Sequence, residues 1–354
     1  MRLGLDLGYW GAGQDADNLA LAVEADRLGY AVCWAAEAYG SDAVTVLAWV
    51  AAQTQRIDVG SAVLQIPART PAMTAMTAAT LDALSGGRFR LGLGVSGPQV
   101  SEGWHGVRFD RPLQRTREYV EIVRRALRRE TVAYEGEHFR LPLPDGAGKA
   151  LKLTVHPVRP HIPLYLAAVG PKNLALTGEI ADGWLAIFFS PEHGALSLDP
   201  IRAARVGAGH AQQDDALAGF DVVASVPVCV APDVATAADP LRPYAALYVG
   251  GMGSREQNFY NALARRMGFD EAAQQVQDLY LDRKPREAAA AVPVEFIDAT
   301  SLLGPPARIR DRLVAYAEAG VTTLSVTPAA PDLESKLRVL RMLAESLDAA
   351  GVAS

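Results

Sequence analysis

Glu37 follows the apolar run Tyr30–Ala36 and is the sole carboxylate that this reading places at a strand end in the first half of the chain. A carboxyl there works as a general acid or base when burial raises its pKa, and it serves equally well as a helix cap or ion-pair partner. His105, in the loop PQVSEGWHGVRFDRP, is a second candidate to move a proton, with a structural loop residue as the alternative. His138, His156, His161, His193 and His210 have no partner at a working spacing. No His, Asp and Glu cluster has metal-ligand spacing, and no serine sits in a nucleophile elbow with a His–Asp pair. Ala168-Val169-Gly170-Pro171-Lys172-Asn173 reads as a strand–glycine–helix junction. Its free amides, the helix dipole and Lys172 can hold a phosphate; an ordinary turn is the alternative. The G-x-G at Gly92 and Gly94 lies inside a strand and lacks a third glycine, so it is not a dinucleotide fingerprint.

The other residues at predicted strand ends are Gly8-Tyr9-Trp10, Ala38-Tyr39, Leu64-Gln65-Ile66, Val95-Ser96-Gly97 and Phe188-Phe189-Ser190. This inventory is apolar and aromatic, with glycines interspersed. It suits a broad, flat ligand held by packing and backbone amides, and so a cofactor that itself carries the reaction.

The elements that must position these residues are organised around Arg56–Gly97. Ile57–Gln65 predicts a strand, Ile66–Pro71 a loop, and Thr70 caps a helix that starts at Pro71 and stops at Ser85-Gly86-Gly87. Arg88–Val95 predicts the next strand, which makes the stretch a parallel βαβ unit. Further strands are predicted at Leu3–Leu7, Ile162–Ala168, Trp184–Phe189, Asp221–Ala231 and Thr322–Val326, alternating with helices. Eight apolar strands with this alternation predict a (β/α)8 TIM barrel over 1–354, as one domain. A doubly wound open sheet is the weaker alternative, because nothing marks a topological switch. A hairpin insertion is expected near 131–155 and a helical insertion near 235–291.

The net charge is −6 with no basic stripe, which excludes a nucleic-acid partner as the main ligand. Half of the residues are hydrophobic and 21% are charged, as in a globular enzyme with a sizeable core. No apolar run reaches the roughly 20 residues of a membrane helix. The N-terminal segment has no signal-peptide pattern, so a cytoplasmic location is expected. Cys33 and Cys229 each lie in an apolar run and read as buried small hydrophobes.

Several blocks resemble the luciferase-like flavin and deazaflavin oxidoreductases. They are Ser61-Ala62-Val63-Leu64-Gln65 with Ala68-Arg69-Thr70-Pro71, Leu84-Ser85-Gly86-Gly87-Arg88-Phe89, and Leu91-Gly92-Leu93-Gly94. Val95–Gly106 is similar to the branch that uses coenzyme F420, a 5-deazaflavin; Leu166–Pro171 and Gly178–Gly183 match two further blocks. The resemblance implies a (β/α)8 barrel with a non-prolyl cis peptide at Ala62-Val63 behind the ring. It implies a cofactor phosphate on the amides of Val169 and Gly170, with Gln65, Val95, Ser96, Gly97 and Gln99 along the cofactor. It also implies a homodimer packed through the helices at Ala43–Gln53 and Pro71–Leu84. Sugar-phosphate and alcohol oxidisers of the family carry an acid–His pair at the end of the second strand; here Glu37-Ala38 lacks the histidine, and Ser190 replaces a lysine. That departure argues against those substrates. The expected activity is F420-dependent hydride transfer, reducing a C=C or C=N bond. The substrate would stack among Tyr9, Trp10, Tyr39 and Phe189, and Glu37 or solvent would supply the proton. The alternatives are an FMN-dependent monooxygenase and a non-catalytic flavin- or deazaflavin-binding protein.

Overall fold

A computed structural model describes residues 1–8 and 15–353. Eight parallel strands close on themselves: β1 (Arg2–Asp6), β2 (Val32–Ala35), β3 (Asp58–Ser61), β4 (Phe89–Gly94), β5 (Leu164–Ala167), β6 (Gly183–Ile187), β7 (Asp221–Val230) and β8 (Thr323–Pro328). Consecutive strands pair throughout, and β1 pairs with β8 from Arg2↔Thr323 to Leu5↔Val326. This is the (β/α)8 barrel predicted from the alternation of apolar runs.

Alternation along each strand divides the core into two parts. Leu3, Leu5 and Leu7 point outward into the layer between strands and helices. Val32, Trp34, Tyr165, Leu185 and Val223 point inward and fill the barrel. Trp34 and Tyr165 meet edge to face with centroids 5.3 Å apart. Room for Trp34 comes from Gly60, where a Cβ would overlap the indole. Both cysteines are free and buried.

At the N-terminal end the barrel is plugged by charge. Asp221 accepts from Arg90 Nη1 (3.0 Å), Tyr165 Oη (3.0 Å), Thr322 Oγ1 (2.6 Å) and Thr323 Oγ1 (2.8 Å), and Arg90 also donates to Asp58 (2.8 Å). The charge here serves stability, since chemistry in such barrels gathers at the opposite end.

Two excursions leave the alternating pattern. Tyr134–Glu135 pairs antiparallel with Arg140–Leu141. The turn is fastened by buried Glu118, which accepts backbone N–H bonds from Glu137 (2.9 Å), His138 (2.9 Å) and Phe139 (3.1 Å). The stretch from Val234 to Ala299 is a series of short helices. It is followed by a short strand the sequence reading did not anticipate, Leu302–Gly304, which extends the sheet on the far end of β7. These helices form their own core, joined by Phe188 and Leu303. Among the described residues no helix is long and apolar enough to cross a membrane.

Removing Asp221 would leave the buried Arg90 guanidinium with Asp58 alone and take the acceptor from Tyr165, Thr322 and Thr323. Asp221→Ala is expected to cost roughly 2–4 kcal/mol in chemical denaturation, since several buried donors lose their acceptor while Arg90 keeps Asp58. A loss below about 1 kcal/mol would show that the plug contributes little.

Candidate active site at the C-terminal mouth of the barrel

The third strand is where the mouth departs from a regular barrel. Gly60 pairs with Arg90, but Leu64 pairs with Leu93, so β3 carries one more residue than β4 between these pairs. The extra residue is absorbed at Ala62-Val63, whose peptide is cis, as the family resemblance implied. A bulge of this kind leaves ladder groups without partners and re-aims the side chains next to it. Here the Ser61 hydroxyl replaces the missing partners: it accepts from Gly92 N–H (2.9 Å) and donates to Gly92 O (2.9 Å). Gly92 is required because a Cβ there would overlap the Ser61 carbonyl oxygen. Ala62 and Val63 stay partly exposed against the interior cluster, with Val63 seated on Gly94. They form a small, apolar floor.

Gln65 and Ser96 come together beside this floor. Gln65 is buried; its Nε2 donates to Ser96 Oγ (2.7 Å), and its Oε1 lies 3.0 Å from His105 Nε2. Ser96 adopts a left-handed backbone (φ 59°) at the exit of β4. With its oxygen already accepting from Gln65, the Ser96 hydroxyl proton is left for a further acceptor. His105 is thus tied to the site, through Gln65. Gly97 opens the short helix Pro98–Ser101, Gln99 on that helix is exposed, and Val95 packs against the outer core.

Val169 and Gly170 lie at the start of helix Pro171–Ile180. Gly170 is its N-cap without a side-chain cap, and a Cβ added there would meet open space. The Gly170 and Lys172 amides have no acceptor among the described residues. From the helical cover, Arg266 Nη2 donates to the Val169 carbonyl (3.0 Å).

Glu37 is held. Arg69 Nη1 lies 2.6 Å from each of its carboxylate oxygens, and Arg69 Nη2 lies 2.7 Å from Asp42, the N-cap of helix Ala43–Gln53. Burial pushes the Glu37 carboxyl above its ordinary value, and Arg69 opposes this. The ion pair lashes the loop after β2 to the loop after β3.

A second strand-end carboxylate was missed in the sequence, and it corrects the reading of Glu37 as the only one. Asp6 is the last inward position of β1: with Leu3, Leu5 and Leu7 facing out, Gly4 and Asp6 face in. The alternation LGLDL carried that signal. Burial raises the Asp6 pKa, against bonds from Gly8 N–H (2.9 Å) and the Ser225 hydroxyl. Trp34, paired with Asp6 across β1 and β2, and Ser325 are both fully buried, and Trp34 Nε1 and Ser325 Oγ have no partner among the described residues.

The aromatic expectations fare differently. Tyr9 and Trp10 lie outside the described residues. Tyr39 is exposed. Phe189, expected in the substrate pocket, is instead buried in the outer core near Trp184 and Tyr316. The cause is Phe188, whose left-handed backbone (φ 55°) reverses the alternation as β6 ends. Phe188 turns into the cover, ringed by Tyr244, Tyr248, Tyr260 and Phe296. Ser190 is buried and donates to Glu192 (2.8 Å). Among the described residues no three His, Cys, Asp or Glu side chains are grouped to hold a metal ion.

A parallel barrel whose mouth combines a bulged third strand, an apolar floor and bare amides after the fifth strand defines a cofactor-binding (β/α)8 enzyme. The family model for luciferase-like monooxygenases matches residues 8–323, and the chain belongs to that family. It is 45% identical over 92% of its length, and 95% of the relative's, to a Mycobacterium tuberculosis protein assigned by inference as a coenzyme F420-dependent oxidoreductase. It is 29% identical to the 5,10-methylenetetrahydromethanopterin reductase of Archaeoglobus fulgidus, covering 89% of this chain and 91% of that one. The solved F420-dependent tetrahydromethanopterin reductase of Methanopyrus kandleri superposes with a TM-score of 0.80 at 25% identity, covering 98% and 97% of the two chains.

Ser61→Ala would leave the Gly92 N–H and C=O without partners. The expected loss is about 1–3 kcal/mol of stability. Faster amide exchange at the end of β4 should accompany it, and unchanged exchange there would remove Ser61 from the support of the floor.

Proposed function

We propose that this chain is an F420-dependent oxidoreductase that transfers a hydride between the deazaflavin and a small organic substrate, in the direction of C=C or C=N reduction. The observation that carries this reading is the apolar floor at Ala62-Val63 on the bulged third strand, with strand-end carboxyls on the two preceding strands, Asp6 and Glu37. The relatives named F420-dependent support the choice of cofactor.

The residues present fit such a group. The floor is apolar, the Ser96 hydroxyl retains a proton to donate, and the space beside Gly170 is open. Ala62 and Val63 would back the ring, Gln65, Ser96, Gly97 and Gln99 would lie along it, and the Val169 and Gly170 amides would take the phosphate. When bound, a 5-deazaflavin supplies two-electron hydride chemistry.

The protein's remaining task is to orient the substrate, exclude water and deliver a proton. Asp6 suits the last role better than Glu37. It faces inward, its pKa is raised by burial, and no cation among the described residues pairs with it, whereas Glu37 is spent on Arg69. Glu37 then acts as a positioning residue that, through Arg69, holds the loop after β2 against the loop Ile66–Thr70. A raised carboxyl pKa keeps the acid form to higher pH, so reduction should fall as pH rises through that value.

Titration with F420 and with FMN tests the cofactor; tight FMN binding with no affinity for F420 would overturn it. Asp6→Asn is expected to lower kcat by about 10²–10⁴-fold and to abolish the high-pH fall, with F420 affinity retained. Wild-type turnover in Asp6→Asn, with loss in Glu37→Gln, would return the acid to Glu37.

The reading includes a homodimer. On helices Ala43–Gln53 and Pro71–Leu84, Trp49, Met73, Met76 and Leu84 are large, apolar and exposed, and a second copy would cover them. Met73→Glu with Met76→Glu should yield a monomer in sedimentation; a wild-type monomer would refute the dimer.

A further inference from the structure

We infer that His105 is a positioning residue that decides what Ser96 presents to the bound cofactor: acting through Gln65, it makes the Ser96 hydroxyl a donor toward the mouth. The inference rests on the cofactor reading above and employs a histidine that the proton delivery described there does not use.

Gln65 is 4% exposed, so both ends of its amide must find partners in the protein. One end of an amide only accepts and the other only donates, and turning it over exchanges the two. Ser96 cannot choose between these states, because a hydroxyl donates or accepts equally well. His105 can. Its Nε2 lies 3.0 Å from Gln65 Oε1, and an oxygen that only accepts requires the proton on that ring nitrogen. Gln65 Nε2 is thereby left for Ser96 Oγ, at 2.7 Å, and the Ser96 proton is turned away from Gln65. The polarity runs one way, from His105 through Gln65 to Ser96 and out into the mouth. With the amide turned over, Ser96 would donate to Gln65 and show only lone pairs to a ligand.

The backbone at both ends is arranged to hold this geometry. Ser96 sits in a left-handed conformation (φ 59°), which a residue with a Cβ adopts only where its surroundings enforce it. The loop that carries His105 is fastened on either side of the ring. The His105 N–H donates to Val100 O (3.1 Å), and Ser101 Oγ donates to Val107 O (2.6 Å). Trp104 and Gly106 are exposed while His105 between them is half-buried, turned in toward Gln65. A donor at Ser96 suits a ligand edge that offers acceptors, as the carbonyl-bearing edge of a flavin or deazaflavin ring does, and lone pairs there would repel it.

The first test needs no ligand. Long-range proton–nitrogen NMR of the full-length, cofactor-free protein at pH 8 is expected to show a proton on His105 Nε2, with the signal assigned by its loss in His105→Gln. A bare Nε2 would overturn the proposal. The second test is a calorimetric titration with F420. His105→Leu is expected to weaken binding about 3–10-fold, as loss of one hydrogen bond does, and Ser96→Ala to weaken it to a similar extent. Adding His105→Leu to Ser96→Ala should cost less than about twofold more, because the histidine acts only through that hydroxyl. His105→Gln, whose amide can still donate to Gln65, should recover most of the loss. The visible absorption band of bound F420 should shift in the same direction in His105→Leu and in Ser96→Ala. Additive losses, or a band that His105→Leu leaves in place, would mean that the histidine merely props its loop and would overturn the proposal. A wild-type protein that binds FMN and ignores F420 would overturn the cofactor reading, and the same cycle run with FMN would then decide the role of His105. Binding of neither would overturn both.

Discussion

The mouth of this barrel depends on a two-way hydrogen bond between one side chain and one peptide. A residue too many in β3 deprives Gly92 of its ladder partners, and buried amide groups left unpaired are costly. Ser61 takes both bonds. The bulged strand thereby stays in the sheet, and Ala62 and Val63 are left as a floor while Leu64 and Gln65 rejoin β4. The two glycines of Leu91-Gly92-Leu93-Gly94 share the work, one by admitting the Ser61 carbonyl and the other by admitting Val63.

Polar groups are segregated along the barrel axis. At the N-terminal end Asp58, Arg90, Tyr165 and Asp221 satisfy one another, so that layer is closed to ligands. At the C-terminal end, satisfaction is incomplete. Asp6 has its pKa raised, and the Ser96 hydroxyl has a proton to give. Unfinished polar groups in a partly desolvated setting mark the end where a ligand completes the structure. Between the two layers Trp34, Tyr165 and Leu185 fill the barrel, which confines the chemistry to the mouth.

The helical excursion from Val234 to Ala299 has its own aromatic core, with Phe188 as its link to the barrel. Residues 247–251 form a π-helical turn whose carbonyls at Tyr248 and Val249 accept from Asn258, while Asn261 also donates to Val249. Such turns re-aim side chains without ending a helix. From this cover Arg266 donates to the Val169 carbonyl in the loop after β5.

The sequence by itself determined the barrel, because apolar runs of strand length alternate with capped helices and leave one economical way to bury both. It also determined the cofactor family, since the blocks around Ser61–Pro71 and Leu84–Gly94 are specific. Asp6 was legible in the alternation LGLDL but was hidden by taking the strand one residue too far. Only the tertiary structure decided how the site residues are used. A left-handed backbone at Phe188 moved Phe189 into the core, and Arg69, 32 residues from Glu37, claimed its carboxylate. Local pattern specifies which face of a strand is apolar, but the partner of a charge is chosen by proximity in space, which chain spacing does not encode.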